Sequence, residues 1–208
     1  VSTVCGEVVG IPREPVAERV PLDAEVVGQH NLRGSDDEVD AVVVAHTARI
    51  NDAPTAQTLA TIADAHRKFG VTGFMATLIS DERSKAEKAI DAVADAIKAG
   101  VKGLLGLHLE GPWLSEPRRG VHPSEFLRGL DAEDLRLLTA KRPFPLMATV
   151  APERIDTASI RALAIAGVIV SLGHTAANAE QVEAALAAGA TGFTHLFNAM
   201  PAMEGRKP

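Results

Sequence analysis

The chain has no tyrosine, one tryptophan and only 3% aromatic residues, so nothing in it suggests a stacking surface for nucleobases. Its single cysteine, Cys5, excludes a disulfide framework and fits a reducing compartment. No apolar run approaches the ~18 residues of a membrane span, and no charged-then-apolar leader opens the sequence. No block of basic residues occurs and the formal net charge is -6, which argues against nucleic acid or an anionic membrane as main partner. Glycine-rich dinucleotide and Walker-type phosphate loops are also missing. The expectation is a soluble cytoplasmic protein, and 208 residues suffice to bury the core of one sizeable α/β unit.

What is present is a rhythm. From about residue 51, amphipathic stretches closed by Gly70, Gly100, Gly167 and Gly189 alternate with short apolar runs. Helices are expected at 55–69, 81–99, 132–140, 158–166 and 177–188, with Thr55 and Ser80 as N-caps of the first two. Strands are expected at 71–79, 104–110, 145–150, 168–172 and 191–196. Apolar strands separated by helices predict a parallel sheet with helical crossovers.

An open doubly wound sheet and a barrel both satisfy that order. The open sheet gathers its ligand at one crevice, whereas a barrel collects functional residues from the C-terminal ends of many strands. Here Glu110, His174 and His195 each stand where an apolar run stops and a loop begins. The fold class is therefore read as α/β, an incomplete (β/α)8 TIM-type barrel with about five to six βα units.

A carboxylate and two imidazoles delivered from three strand ends are a donor set for a divalent metal. Glu110 alone reads equally well as a carboxylate paired with arginine, and a lone histidine after a strand is more often structural. Independent structural causes do not explain all three together, so the metal reading is preferred. Period-2 alternation puts His108 on the same side of its strand as Glu110, one layer lower, as a packed histidine. His122, in the loop after Glu110, reads equally as a lid contact or a surface residue. Glu153 reads as a cap for the following helix. Asn198 is a polar break that suits an anionic or hydroxylated ligand. Arg206, read on its own, is part of a solvated tail.

The stretches Gly106-Leu107-His108-Leu109-Glu110-Gly111-Pro112-Trp113, Thr149-Val150-Ala151-Pro152-Glu153, Ser171-Leu172-Gly173-His174-Thr175 and Thr194-His195-Leu196-Phe197-Asn198-Ala199-Met200 resemble those of the N-acetylglucosamine-6-phosphate deacetylases. These are metal-dependent barrels of the amidohydrolase superfamily. The resemblance covers roughly residues 51–208 and implies that Glu110, His174 and His195 bind a divalent metal, zinc above all. It also implies that Val121, His122, Asn198, Ala199 and Arg206 hold a small-molecule sugar phosphate, which reverses the bland reading of Arg206. Its implied reaction is deacetylation of N-acetylglucosamine 6-phosphate to glucosamine 6-phosphate and acetate, in amino-sugar catabolism. The full-length enzyme is expected to be a homo-oligomer.

The departures carry weight too. The family's first strand ends in a glycine-rich segment, where this chain has Asp40-Ala41-Val42-Val43-Val44-Ala45-His46-Thr47. Residues 1–50 thus form a poorly matching N-terminal segment, read equally as an out-of-frame translation or as a divergent first strand over 39–50. Residues 51–208 form a partial barrel domain. The family's catalytic aspartate falls beyond Pro208, so no catalytic residue is assigned, and the expected alternative is an incomplete remnant that binds metal or sugar phosphate without turnover.

Overall fold

Helix starts are set by short polar side chains that satisfy the free N–H groups of the first turn. The computed structural model describes residues 50–202. Thr55 caps α1 (Ala56–Arg67) by accepting from Thr58 N at 3.2 Å. Asp131 caps α3 (Ala132–Thr139), accepting from Glu133 N and Asp134 N, and Asp156 caps α4 (Thr157–Ile165) through Ser159 N. Asn178 and Gln181 form a reciprocal capping box on α5 (Ala179–Ala188), which ends on Gly189 in the left-handed conformation. α2 (Arg83–Lys98) starts later than expected. Glu82, not Ser80, occupies its N-cap position and makes no side-chain cap bond, because Ser80 is engaged elsewhere.

The strands are β1 (Phe74–Ile79), β2 (Leu104–Glu110), β3 (Leu146–Val150), β4 (Ile169–Leu172) and β5 (Gly192–Phe193). They form one five-stranded sheet in chain order, every neighbouring pair parallel. With a helix between successive strands, this is part of a TIM-type barrel, as the rhythm predicted. β1 begins at Phe74 instead of 71, because Val71 N still bonds back to His66 O to close α1. β5 is two residues long where six were expected: the backbone turns left-handed at His195, Phe197 and Ala199, which ends the extended run.

Alternation along the strands sorts the two faces. Ala76, Leu78, Leu107, Leu109, Ala148, Val150, Val170 and Leu172 join the apolar core with Leu59, Val93, Ile160 and Leu163 of the helices. Thr77, His108, Glu110, Thr149 and Ser171 occupy the alternate positions, and all are buried. The sheet is apolar toward its helices and polar on the other side. Among the described residues no helix is long and apolar enough to cross a membrane. The N-terminal segment, with its out-of-frame and first-strand readings, and Arg206 lie outside the described residues.

Candidate metal centre

β2 ends at Glu110, and Gly111 at once turns the chain with φ +85°. A Cβ on Gly111 would collide with Ser80 Oγ, so the turn needs glycine. The chain then runs through Ser115–His122 and returns across the sheet. Gly173 at the end of β4 is equally confined: a Cβ would come within 2.9 Å of Thr194 Cβ and 3.0 Å of Thr149 Cγ2. These two close approaches let β2, β4 and the segment after β5 converge.

At the convergence Glu110 Oε1 faces His195 Nε2 at 2.7 Å and His174 Nε2 at 3.1 Å. His174 and His195 meet edge to face, as do His122 and His174. The residues expected to gather do so. His195 sits in the loop past β5, not at its end, with φ +53°, and His174 has φ +48°. Both histidines hold a backbone conformation that residues with a Cβ avoid.

His122 is a fourth member, buried completely. A nitrogen of His122, a nitrogen of His174 and an oxygen of Glu110 lie within 4.8 Å of one another, close enough to hold one metal ion. The surface reading of His122 is thereby overturned: the Ser115–His122 loop folds under the rim, and Arg119 donates to His122 O. The signal was present in Gly120-Val121-His122-Pro123, but nothing in it distinguishes a rim from a flap.

Hydrogen bonding assigns the ring protons. His174 Nδ1 lies 2.9 Å from Arg118 O; a carbonyl only accepts, so Nδ1 carries a hydrogen, and Nε2 donates to Glu110 Oε1 when the ring is protonated and has its lone pair free for a cation when the ring is neutral. His122 is the reverse. Its Nδ1 accepts from the Ser80 N–H at 3.2 Å, with the Ser80 hydroxyl at 2.9 Å, so in the neutral ring Nε2 carries the hydrogen. Burial pushes the His122 imidazole down to about 4 despite Glu110 nearby, which keeps it neutral. Burial also pushes His108 down to about 4. On its own burial would raise the Glu110 carboxyl, but the His174 and His195 hydrogen bonds outweigh it and hold the group well below the usual range. His174 is raised: burial opposes its charge, and the Glu110 contact wins.

Two buried atoms of the cluster, Glu110 Oε2 and His122 Nε2, have no hydrogen-bond partner. They face each other at 3.9 Å. An orphaned carboxylate oxygen beside imidazole lone pairs fits a cation. The separations of Glu110 Oε1 from the His195 and His174 rings, 2.7 and 3.1 Å, lie within an ångström of the ~3.4 Å edge of a tetrahedron with ~2.1 Å bonds. The donor set therefore fits a divalent ion.

The neighbouring side chains brace this arrangement. His108 is packed as expected, between Thr77 and Thr149. Glu153 does not cap α4, where Asp156 does that work; it accepts from Thr175 Oγ1 at 2.5 Å and Ala176 N at 2.6 Å, just beyond His174. Buried Asp134 accepts from Arg83, Arg128 and Trp113, tying the loop after Glu110 to α2 and α3. Val121 is exposed beside the cluster, and Ala199 O accepts from Thr175 N, bringing the Asn198–Ala199 segment onto the β4 loop. Ser80, Arg118 O and the Thr149–Thr194 pair were not legible in the sequence, since hydroxyls and carbonyls after strands are too common to signal anything.

No family model matches the chain. Comparison with individual proteins is specific. The N-acetylgalactosamine-6-phosphate deacetylase of Shewanella sp. (strain ANA-3) is 42% identical over 158 residues, 76% of this chain and 40% of that protein. The crystal structure of N-acetylglucosamine-6-phosphate deacetylase from Pasteurella multocida superposes with a TM-score of 0.72 at 31% identity, over 76% of this chain and 42% of that one. The D267A mutant of the Mycobacterium smegmatis enzyme, solved in complex with N-acetyl-D-glucosamine-6-phosphate, superposes with a TM-score of 0.68 at 37% identity, over 78% of this chain and 43% of that one. The chain thus spans about two fifths of the length of these relatives. Over about three quarters of its own length, the chain is thus similar to the N-acetylglucosamine-6-phosphate deacetylases.

Proposed function

We propose that this chain supplies the metal-binding part of a deacetylase that converts N-acetylglucosamine 6-phosphate to glucosamine 6-phosphate and acetate. The observation that carries the reading is Glu110 Oε1, shared between His174 Nε2 and His195 Nε2 at 3.1 and 2.7 Å with Glu110 Oε2 left unpaired. Glu110, His174 and His195 are the proposed ligands, and zinc the proposed ion. Bound there, the ion would supply Lewis-acid charge for an amide carbonyl and would acidify a water.

The chain's own residues supply the rest. Arg118 O holds His174 in the tautomer whose Nε2 is free to coordinate. His122, forced by Ser80 to keep its hydrogen on Nε2, is a donor and not a ligand; it is placed to donate to a substrate oxygen entering beside Glu110. Val121, Asn198 and Ala199 are the proposed contacts to the sugar, and Arg206 suits the phosphate through its planar fork. A cytoplasmic setting follows from the substrate, since a charged phosphate ester does not cross a bilayer unaided.

The test is acetate release by the zinc-loaded chain, offered N-acetylglucosamine 6-phosphate and its galactosamine epimer in parallel. Release from the glucosamine ester supports the proposal, and preference for the galactosamine ester would correct the substrate. Zinc binding without release from either would reduce the reading to a chain that holds metal or sugar phosphate without turnover.

A further inference from the structure

One layer beneath the cluster, hydroxyls and one imidazole form a continuous hydrogen-bonded chain. Thr77 Oγ1 meets His108 Nδ1 at 3.2 Å, and His108 Nε2 meets Thr149 Oγ1 at 2.7 Å. Thr149 Oγ1 meets Thr194 Oγ1 at 2.7 Å, and Thr194 Oγ1 meets Ser171 Oγ at 2.7 Å. The chain joins β1, β2, β3, β4 and the residue after β5, and every member is buried. Each hydroxyl has one hydrogen and two neighbours within the row from Thr149 to Thr194, so both are satisfied when the bonds run head to tail.

The chain ends beside the histidine that most needs support. His174 is held through its own ring, by Arg118 O. Among the described residues, the His195 ring makes no hydrogen bond apart from that to Glu110. Its backbone is left-handed at φ +53° and the next residue, Leu196, is exposed. Such strain persists only where neighbours over-determine it. The neighbour here is Thr194, whose N–H bonds Leu172 O at 2.8 Å and whose hydroxyl is pinned on both sides.

We propose that Thr194 is a positioning residue for His195, its hydroxyl anchoring the backbone that aims the imidazole at Glu110. The inference rests on the metal reading of Glu110, His174 and His195. It separates cleanly from a packing role, because the two roles order the same pair of variants oppositely. Thr194→Val keeps shape and loses the hydroxyl, whereas Thr194→Ser keeps the hydroxyl and loses a methyl. Anchoring predicts that valine fails and serine works; packing predicts the reverse.

The experiment is a zinc titration of the metal-stripped 208-residue chain against a chromophoric chelator, with thermal unfolding of each apo variant alongside. Thr194→Val should bind zinc about 10- to 100-fold more weakly, the usual range for removing a group that orients a ligand, and Thr194→Ser within about threefold of the parent. If Thr194→Val does not fold, Thr149→Val takes its place, one hydroxyl further along, and should weaken zinc binding in the same direction. Parental affinity in the valine variant that folds, or a loss in serine greater than in valine, overturns the inference. A parent chain that binds no zinc overturns the metal reading instead, and the inference falls with it.

Discussion

The two histidines that meet Glu110 are held by opposite means. His174 is 4% exposed and gripped from every side: its ring donates to Arg118 O, its carbonyl accepts from Ser115 N, and the next residue is tied to Glu153. The side chain of His195 is 14% exposed, followed by exposed Leu196, Phe197 and Asn198, with Asn198 N closing a tight turn on His195 O. One imidazole is built into the frame by long-range bonds to its own ring and carbonyl. The other is held at one remove, through the backbone of Thr194 and through Glu110. On the proposed ligand set, such a site has a pre-set half and a half that a bound ion completes.

The comparison is broken most severely at its common point. Glu110→Gln removes the carboxylate both rings share and should cost at least about 100-fold in zinc affinity, read by chelator competition. Unchanged affinity would remove Glu110 from the site altogether.

Asp134→Asn attacks only the His174 side, because Asp134 fastens Trp113 and Arg128 of the enclosing loop. Unpairing two buried-end guanidinium bonds should cost about 3 kcal/mol in urea unfolding. The acid limb supplies the sign. Burial alone would raise the Asp134 carboxyl, but its bonds to Arg128, Arg83 and Trp113 hold it below the usual value. A depressed folded value stabilises fully above the unfolded value of about 3.9 and is lost as pH falls through the folded one. The gap between parent and variant should be flat from pH 5 to 8 and narrow below about pH 4. A gap that widened in acid would mean the carboxylate is not what Asp134 contributes.

A finer cut is Glu153→Gln, which leaves either Thr175 Oγ1 or Ala176 N without its acceptor. The expected loss is about 1–2 kcal/mol by thermal unfolding, with zinc affinity reduced a few-fold. Smallest of all is Phe197→Ser on the His195 side. Phe197 is 70% exposed, so stability should move by no more than about 0.5 kcal/mol and zinc affinity by less than twofold. Equal effects from these two substitutions would mean that the two sides are not held differently after all.

The sequence carried the βα order and the ligand strands well, because apolar β-branched runs and glycine stops encode them locally. The expected strand 104–110 coincides with β2, Leu104–Glu110. Boundaries slipped where tertiary contacts compete with local signals. Ser80 looks like a helix cap yet spends its hydroxyl on His122, 42 residues away. Glu153 looks like a cap for α4 yet bonds Thr175 across the sheet. The shortness of β5 is not encoded locally, because nothing in the sequence announces left-handed backbone at histidine, phenylalanine and alanine; only packing imposes it. His122 is ambiguous in sequence for the same reason, since its burial depends on a loop that folds back. The Arg118 carbonyl is invisible to any reading of side chains.

The matching of sheet order to chain order has a consequence for synthesis. Each strand, on leaving the ribosome, finds its partner already in place, so assembly proceeds unit by unit without waiting for a distant segment. Glu110 and His195 are 85 residues apart, which at 5–20 residues per second is roughly 4–17 s of translation. For the first 64 of those residues neither imidazole that meets Glu110 has been made. On the proposed ligand set, metal capture is therefore a late event in the protein's birth, timed by the arrival of its least-supported member.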